Sequence, residues 1–212
     1  MSMERQQHWE TVYRDKGEGE TSWFRPRLDE SLRLIDALDA PLGQPAIDVG
    51  GGRATLVDDL LVRGFRDVSV LDLSANALAE ARRRLGLQAE RVRWIVGDAT
   101  RVDLPAAHYA LWHDRAVFHF LVEPEEQARY VAAATRALRG GGHLVIGCFA
   151  PDGPERCSGL PVARHDADGL ARLFAAAFDP VARSRELHRT PAGKEQAFTY
   201  VVLRRREDDA SP

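Results

Sequence analysis

The sequence predicts an α/β fold: a doubly wound, mostly parallel seven-stranded sheet with an antiparallel last strand and an N-terminal helical cap. Three observations carry this expectation. Five short apolar runs, rich in Val, Ile and Leu, alternate with stretches of helical pattern, as strands covered on both faces and joined by crossover helices require. The first run ends in three consecutive glycines, a turn that brings backbone N–H groups towards a ligand at a helix N-terminus. Finally, the segments 185–190 and 196–205 flank "PAGKE", which leaves no room for a crossover helix and so predicts a hairpin.

In chain order, residues 1–44 are expected to form a cap of one or two helices, including 28–38, and they carry the aromatics Trp9, Tyr13, Trp23 and Phe24. The core follows over 45–205, with strands at 46–50, 68–73, 92–98, 109–114 and 143–149. Helices are expected at 54–63, 74–85 and 124–138. Ser74 supplies an N-cap for the second of these and Gly140 a stop after the third. A further helix is expected around 168–177. The antiparallel strand is expected at the far side of the sheet, and 207–212 read as a frayed polar tail.

A chain of 212 residues fits one domain with a full-sized core. Its net charge of −3 argues against nucleic acid or an anionic membrane as partner, and no apolar run nears the roughly 20 residues of a membrane span. The opening "MSMERQQHWE" is polar rather than signal-like, so cytoplasm is the expected compartment. Cys148 and Cys157 form no C-x-x-C pair, which indicates neither a zinc knuckle nor a disulfide framework.

Around the glycine turn the chain reads "IDVGGGRAT". A nicotinamide fingerprint needs G-x-G-x-x-G, and counting from Gly50 the third position is Thr55. No G-x-x-x-x-G-K-[ST] occurs either. The distinctive residue is Asp48, a carboxylate better placed for a cation or amine than for a pyrophosphate.

The pattern D-x-G-x-G-x-[GA] at 48–54 resembles motif I of the class I, Rossmann-like, S-adenosylmethionine-dependent methyltransferases, and the resemblance covers roughly 45–205. It implies S-adenosylmethionine as cofactor, with Asp48 near its amino-acid end and Gly50, Gly51 and Gly52 against its sugar and methionine portions. Asp72, with Leu73, would accept the ribose hydroxyls. Asp98, with Ala99, would meet the adenine amino group.

"LWHDRAVFHFL" at 111–121 holds too few ligands for a metal site and lacks a hydrolase's serine elbow. It resembles the "DRGAL"-type segment of the thiopurine and tellurite-resistance methyltransferases, with Asp114-Arg115-Ala116 in place of Asp-Arg-Gly. The Trp-rich opening "HWETVYRDKGEGETSWF" resembles that group too. The resemblance puts His113 beside the cofactor, Trp23 over it, and Phe24 with Trp23 as a cover. His113, Asp114 and His119 are the candidate catalytic residues. Phe24, Arg115, Cys157 and Arg164 are the candidate acceptor contacts, the last two from the loop 150–166. The expected activity is methyl transfer to a small molecule, with a thiol or other soft nucleophile as acceptor. A protein lysine methyltransferase is the first alternative, although the Gly-Thr pair of that group is missing. A non-catalytic cofactor-binding regulator is the second.

Overall fold

The computed structural model describes residues 2–17, 19–38 and 43–207. Two helices precede the sheet, α1 (Ser2–Asp15) and α2 (Asp29–Asp36). The wound region follows as β1 (Ala46–Val49), α3 (Leu56–Val62), β2 (Val68–Asp72), α4 (Ala75–Leu85), β3 (Val92–Val96), β4 (Tyr109–Arg115), α5 (Pro124–Ala137) and β5 (Leu138–Phe149). After it come a small hairpin, β6 (Arg156–Cys157) and β7 (Leu160–Pro161), then α6 (Ala167–Phe174), β8 (Phe178–Arg189) and β9 (Glu195–Arg205).

The seven-stranded sheet has the order β3-β2-β1-β4-β5-β9-β8. Every pairing among β1 to β5 is parallel, and β9 runs antiparallel to both β5 and β8. The reversed strand is therefore inserted beside β5, not set at the sheet's far side as the hairpin alone led us to expect; β8 takes that edge. The reason is visible in burial. β9 is an almost unbroken buried run from Gln196 to Leu203, whereas β8 alternates exposed and half-buried residues along most of its length, as an edge strand tolerates.

Alternate residues of each strand feed two cores. Ala46, Val70, Leu111, Val145 and Val202 pack with α2, α3 and Leu78 of α4, while Ile47, Val49, Trp112, Ile146 and Val201 pack with α5 and α6. Ser74 caps α4, accepting from the Ala77 N–H at 3.1 Å. Gly140 is no helix stop: α5 ends at Ala137 and Leu138 goes straight into extended backbone, so β5 starts five residues before the expected 143. No helix among the described residues is long and apolar enough to cross a membrane.

Candidate functional site

The order β2-β1-β4 makes the junction of β1 and β4 the point where the chain's winding reverses, and in such sheets ligands bind outside the carboxyl ends of the strands. Two clefts open there. The first, of about 760 Å³, is lined by Val49 and Gly50, by Leu71 to Leu73, by Gly97 to Thr100, and by residues following β4. The second, of about 590 Å³, is lined by Asp48, Gly50, Gly51, Arg53 and His113, with the 19–25 segment across from them.

The glycine turn is shaped by close approach. Gly50 holds φ +69°, and a Cβ there would lie 1.9 Å from Val117 Cγ2. One on Gly51 would lie 2.6 Å from Asp48 Oδ2. Only glycine lets this turn pass between the sheet and the segment after β4. Gly52 lines neither cleft, but its N–H donates to Asp72.

Asp48 is buried. Its Oδ1 lies 2.7 Å from His113 Nδ1, and His113 Nε2 lies 2.9 Å from Ser31 Oγ on α2. Its Oδ2 is buried without a hydrogen-bond partner. Asp72 closes β2 with Oδ1 accepting the Ser74 N–H at 2.8 Å. Burial is the main force pushing its carboxyl up to about 7, with the Asp48 charge adding to it and the Ser74 and Gly52 N–H groups opposing it. Asp98 Oδ1 accepts from the Thr100 backbone at 2.9 Å and from its hydroxyl at 2.7 Å.

The roof comes from α1 and the segment after it. Trp9, Tyr13 and Trp23 pack mutually edge-on or tilted, with Phe120 against Trp9. The β6–β7 hairpin brings in Cys157, whose thiol burial pushes up to about 11. The loop that carries it is fastened by Ala163 N–H to His119 O at 2.8 Å and His165 N–H to Phe149 O at 2.9 Å.

Of the residues singled out in the sequence, Trp23, Gly50, Asp72, Leu73, Asp98, Ala99, Arg115 and Cys157 line the first cleft. Trp23, Phe24, Asp48, Gly50, Gly51, His113 and Arg115 line the second. Besides Gly52, three candidates lie elsewhere. Asp114 is a turn cap: it accepts the Val117 and Phe118 N–H groups and the Tyr130 hydroxyl, and burial, its largest influence, pushes it up to about 6. His119 is fully buried between Phe120 and Phe149. Burial, helped by the Arg115 and His165 charges, drives it down to about 3. Arg164 is tied to Gly153 O and to Glu155. Asp114, His119 and Arg164 thus line neither cleft.

Several residues were missed. Arg25 lines the second cleft in an ion pair with Glu186. Tyr200 accepts from Arg115 Nε at 3.0 Å and donates to Glu186 at 3.0 Å. Ser31 completes the Asp48–His113 chain. Tyr13 and Arg25 flank the quoted Trp-rich opening or belong to it; Ser31, Glu186 and Tyr200 sit in unremarkable local sequence. Among the described residues no group of three or more His, Cys, Asp or Glu side chains gathers as a metal site would need.

Residues 46–142 match the family described as "Methyltransferase domain". The ubiquinone/menaquinone biosynthesis C-methyltransferase of Paracoccus denitrificans is 35% identical over 118 residues, covering 53% of this chain and 45% of that protein. The eEF1A lysine and N-terminal methyltransferase homolog of Drosophila melanogaster is 25% identical over 147 residues, covering 65% of this chain and 21% of that one. The chain therefore spans less than half the length of these curated relatives. The crystal structure of Burkholderia thailandensis 1,6-didemethyltoxoflavin-N1-methyltransferase, with 1,6-didemethyltoxoflavin and S-adenosylhomocysteine bound, superposes with a TM-score of 0.66 at 27% identity, over 85% of this chain and 78% of that one.

The residues fit such a cofactor. Three carboxylates stand in succession at the ends of β1, β2 and beyond β3, a glycine turn leaves space a Cβ would fill, and one acid oxygen is buried and unpaired. Residues 46–142 thus match the methyltransferase-domain family, and the chain has the Rossmann-like fold of solved methyltransferases.

Proposed function

We propose that this chain is an S-adenosylmethionine-dependent methyltransferase acting on a small-molecule acceptor. The observation that carries the reading is the pair of clefts meeting at one wall of Tyr13, Trp23, Gly50 and Arg115. The first cleft offers Asp72 for ribose hydroxyls and Asp98, Ala99 and Leu73 for adenine. The second offers Asp48 for the ammonium and Arg25 for the carboxylate of an amino acid. His113 holds Asp48 in place rather than meeting the acceptor. When bound, S-adenosylmethionine supplies an electrophilic methyl whose sulfur departs as a neutral thioether, so no acid is required. The protein's part is to align the nucleophile, exclude water and keep a lone pair free. Trp9, Tyr13 and Trp23 serve exclusion, and the apolar roof they make supports a compact acceptor. The Burkholderia and Paracoccus proteins, named for a toxoflavin precursor and a quinone pathway, support a small acceptor as well. The lysine reading rests on relatives of which this chain matches about a fifth.

The test is incubation with methyl-labelled S-adenosylmethionine, divided between a panel of small acceptors and a cell extract. Label in a small molecule supports the proposal. Label in a protein band replaces it with the lysine reading.

A further inference from the structure

We propose that the acceptor is an acidic nucleophile, a thiol or phenol-type hydroxyl taken as its anion, and that Arg115 selects that form. The proposal rests on the methyltransferase reading above and deepens it.

Of the four residues common to both clefts, Arg115 alone carries a charge. Its side chain is 5% exposed. Nε donates to the Tyr200 hydroxyl and Nη1 to Trp23 O at 3.1 Å, the guanidinium lies 4.5 Å over the Phe198 ring, and Nη2 is buried with no partner. Glu186 lies 3.8 Å from Nε, yet the same carboxylate is directly paired with Arg25. Two guanidiniums sharing one carboxylate leave positive charge uncompensated beside the shared wall, in a buried setting where Coulomb interactions are strengthened.

With Asp48 Oδ2 given to the cofactor's ammonium, the same wall offers no free base; His188 on β8, which feels the Arg115 and Arg25 charges, lines neither cleft. His113 has both ring nitrogens engaged, by Asp48 and Ser31. Asp72 and Asp98 face the first cleft and hold backbone N–H groups of Ser74 and Thr100. The Cys157 and Tyr13 protons are held more tightly than usual by burial. Tyr130 donates to Asp114, while Arg5 is paired with Glu126 and Arg53 with Glu80. An alkylammonium would meet a cation there and nothing to take its proton. A thiol or an acidic phenol would meet a cation that favours its ionised form. Transfer from that anion balances without a proton: its lone pair forms the new bond to the methyl carbon, the carbon–sulfur bond breaks, and its electron pair returns to sulfur as the neutral thioether.

The test uses 4-nitrophenol, whose anion absorbs visible light, bound to the protein loaded with S-adenosylhomocysteine and titrated with acid. The bound phenol should ionise at lower pH than the free one. Arg115→Gln should raise that value by about one unit, a tenfold loss of anion near neutrality, and Arg115→Lys should recover most of it. Circular dichroism and an unfolding midpoint close to the parent's certify that each variant is folded. An unshifted value in the parent protein, an Arg115→Gln variant indistinguishable from it, or no binding of the phenol overturns the proposal. In a parallel methylation assay, thiophenol should outcompete n-butylamine by at least about tenfold. Preference for the amine overturns the acceptor class but keeps the methyltransferase reading. Label in neither probe nor in any component of a cell extract overturns that reading itself.

Discussion

Asp48 and His113 are direct register partners on the neighbouring parallel strands β1 and β4, and their side chains meet at 2.7 Å. Strand pairing therefore delivers the contact with no loop involved, and Ser31 on α2 finishes it from the opposite side. Removing one member leaves a buried polar atom without its partner. Ser31→Ala should cost about 1–3 kcal/mol in stability, measured by denaturant unfolding. Asp48→Ala should in addition weaken S-adenosylhomocysteine binding at least about tenfold, or 1.4 kcal/mol. Calorimetric affinity equal to the parent's would remove Asp48 from the cofactor's amino-acid end.

Asp72 gives a pH dependence whose sign follows from its partners. Its carboxyl, pushed up to about 7 by burial, is largely protonated below neutrality in the free protein. Ribose hydroxyls donate best to the ionised form, so cofactor affinity should rise with pH through about 7 and level off above it. For folding, the raised value favours the protonated state. The burial penalty is therefore absent below the usual carboxylate range, near 4, and grows as pH climbs to about 7. Asp72→Asn should flatten the affinity profile between pH 6 and 8; a slope that persists in the variant would assign it to another group.

Asp48, Asp72 and Asp98 were legible as candidates because they stand at or just beyond strand ends, where period and glycine content mark the position locally. Arg115 was legible as a candidate too, but its partners were not. Arg115, Glu186 and Tyr200 meet only because β9 is inserted between β5 and β8, and no short-range pattern announces that insertion. The same limit explains Gly140: a helix that runs directly into a strand needs no glycine, and Leu138 pairing with Tyr109 lengthens β5 instead. The burial of His119 was not legible either: the turn of 3-10 helix at Phe118–Phe120 carries it inward, between Phe120 and Phe149.

His119 can be tested as a core residue. Its Nε2 is buried with no partner and its Nδ1 takes a long 3.4 Å bond from the Phe149 N–H. Replacement by an apolar side chain of similar size relieves that cost, so His119→Phe should keep turnover and hold stability within about 1.5 kcal/mol of the parent. Acid behaviour provides the sharper measurement. With the folded value lowered to about 3, the unfolded chain binds the extra proton first, so the residue destabilises the fold as pH falls from about 6.5 towards 3. Unfolding curves for His119→Phe should lack that component of the decline. A large loss of turnover with unchanged stability would return the histidine to the chemistry.

The roof over the first cleft is latched by charge, which makes its opening measurable. Arg5 on α1 donates to both oxygens of Glu126 on α5 at 3.0 Å, with side chains only 17% and 6% exposed. Glu10 accepts from Ser74 Oγ and from the first N–H groups of α4, where the helix dipole favours a carboxylate. Arg53, on the glycine turn, donates to Tyr13 O and Lys16 O near the end of α1. These ties hold Trp9 and Tyr13 over the cleft while burying little apolar surface of α1 outside that aromatic cluster. Arg5→Ala should therefore act on closure more than on folding. S-Adenosylhomocysteine should dissociate several-fold faster in stopped flow, for a contribution of about 1–2 kcal/mol from a half-buried bidentate pair, while the global unfolding midpoint moves little. Glu126→Gln, which keeps one acceptor oxygen, should fall between the two. Equal dissociation rates in all three proteins would show that α1 does not gate the cleft.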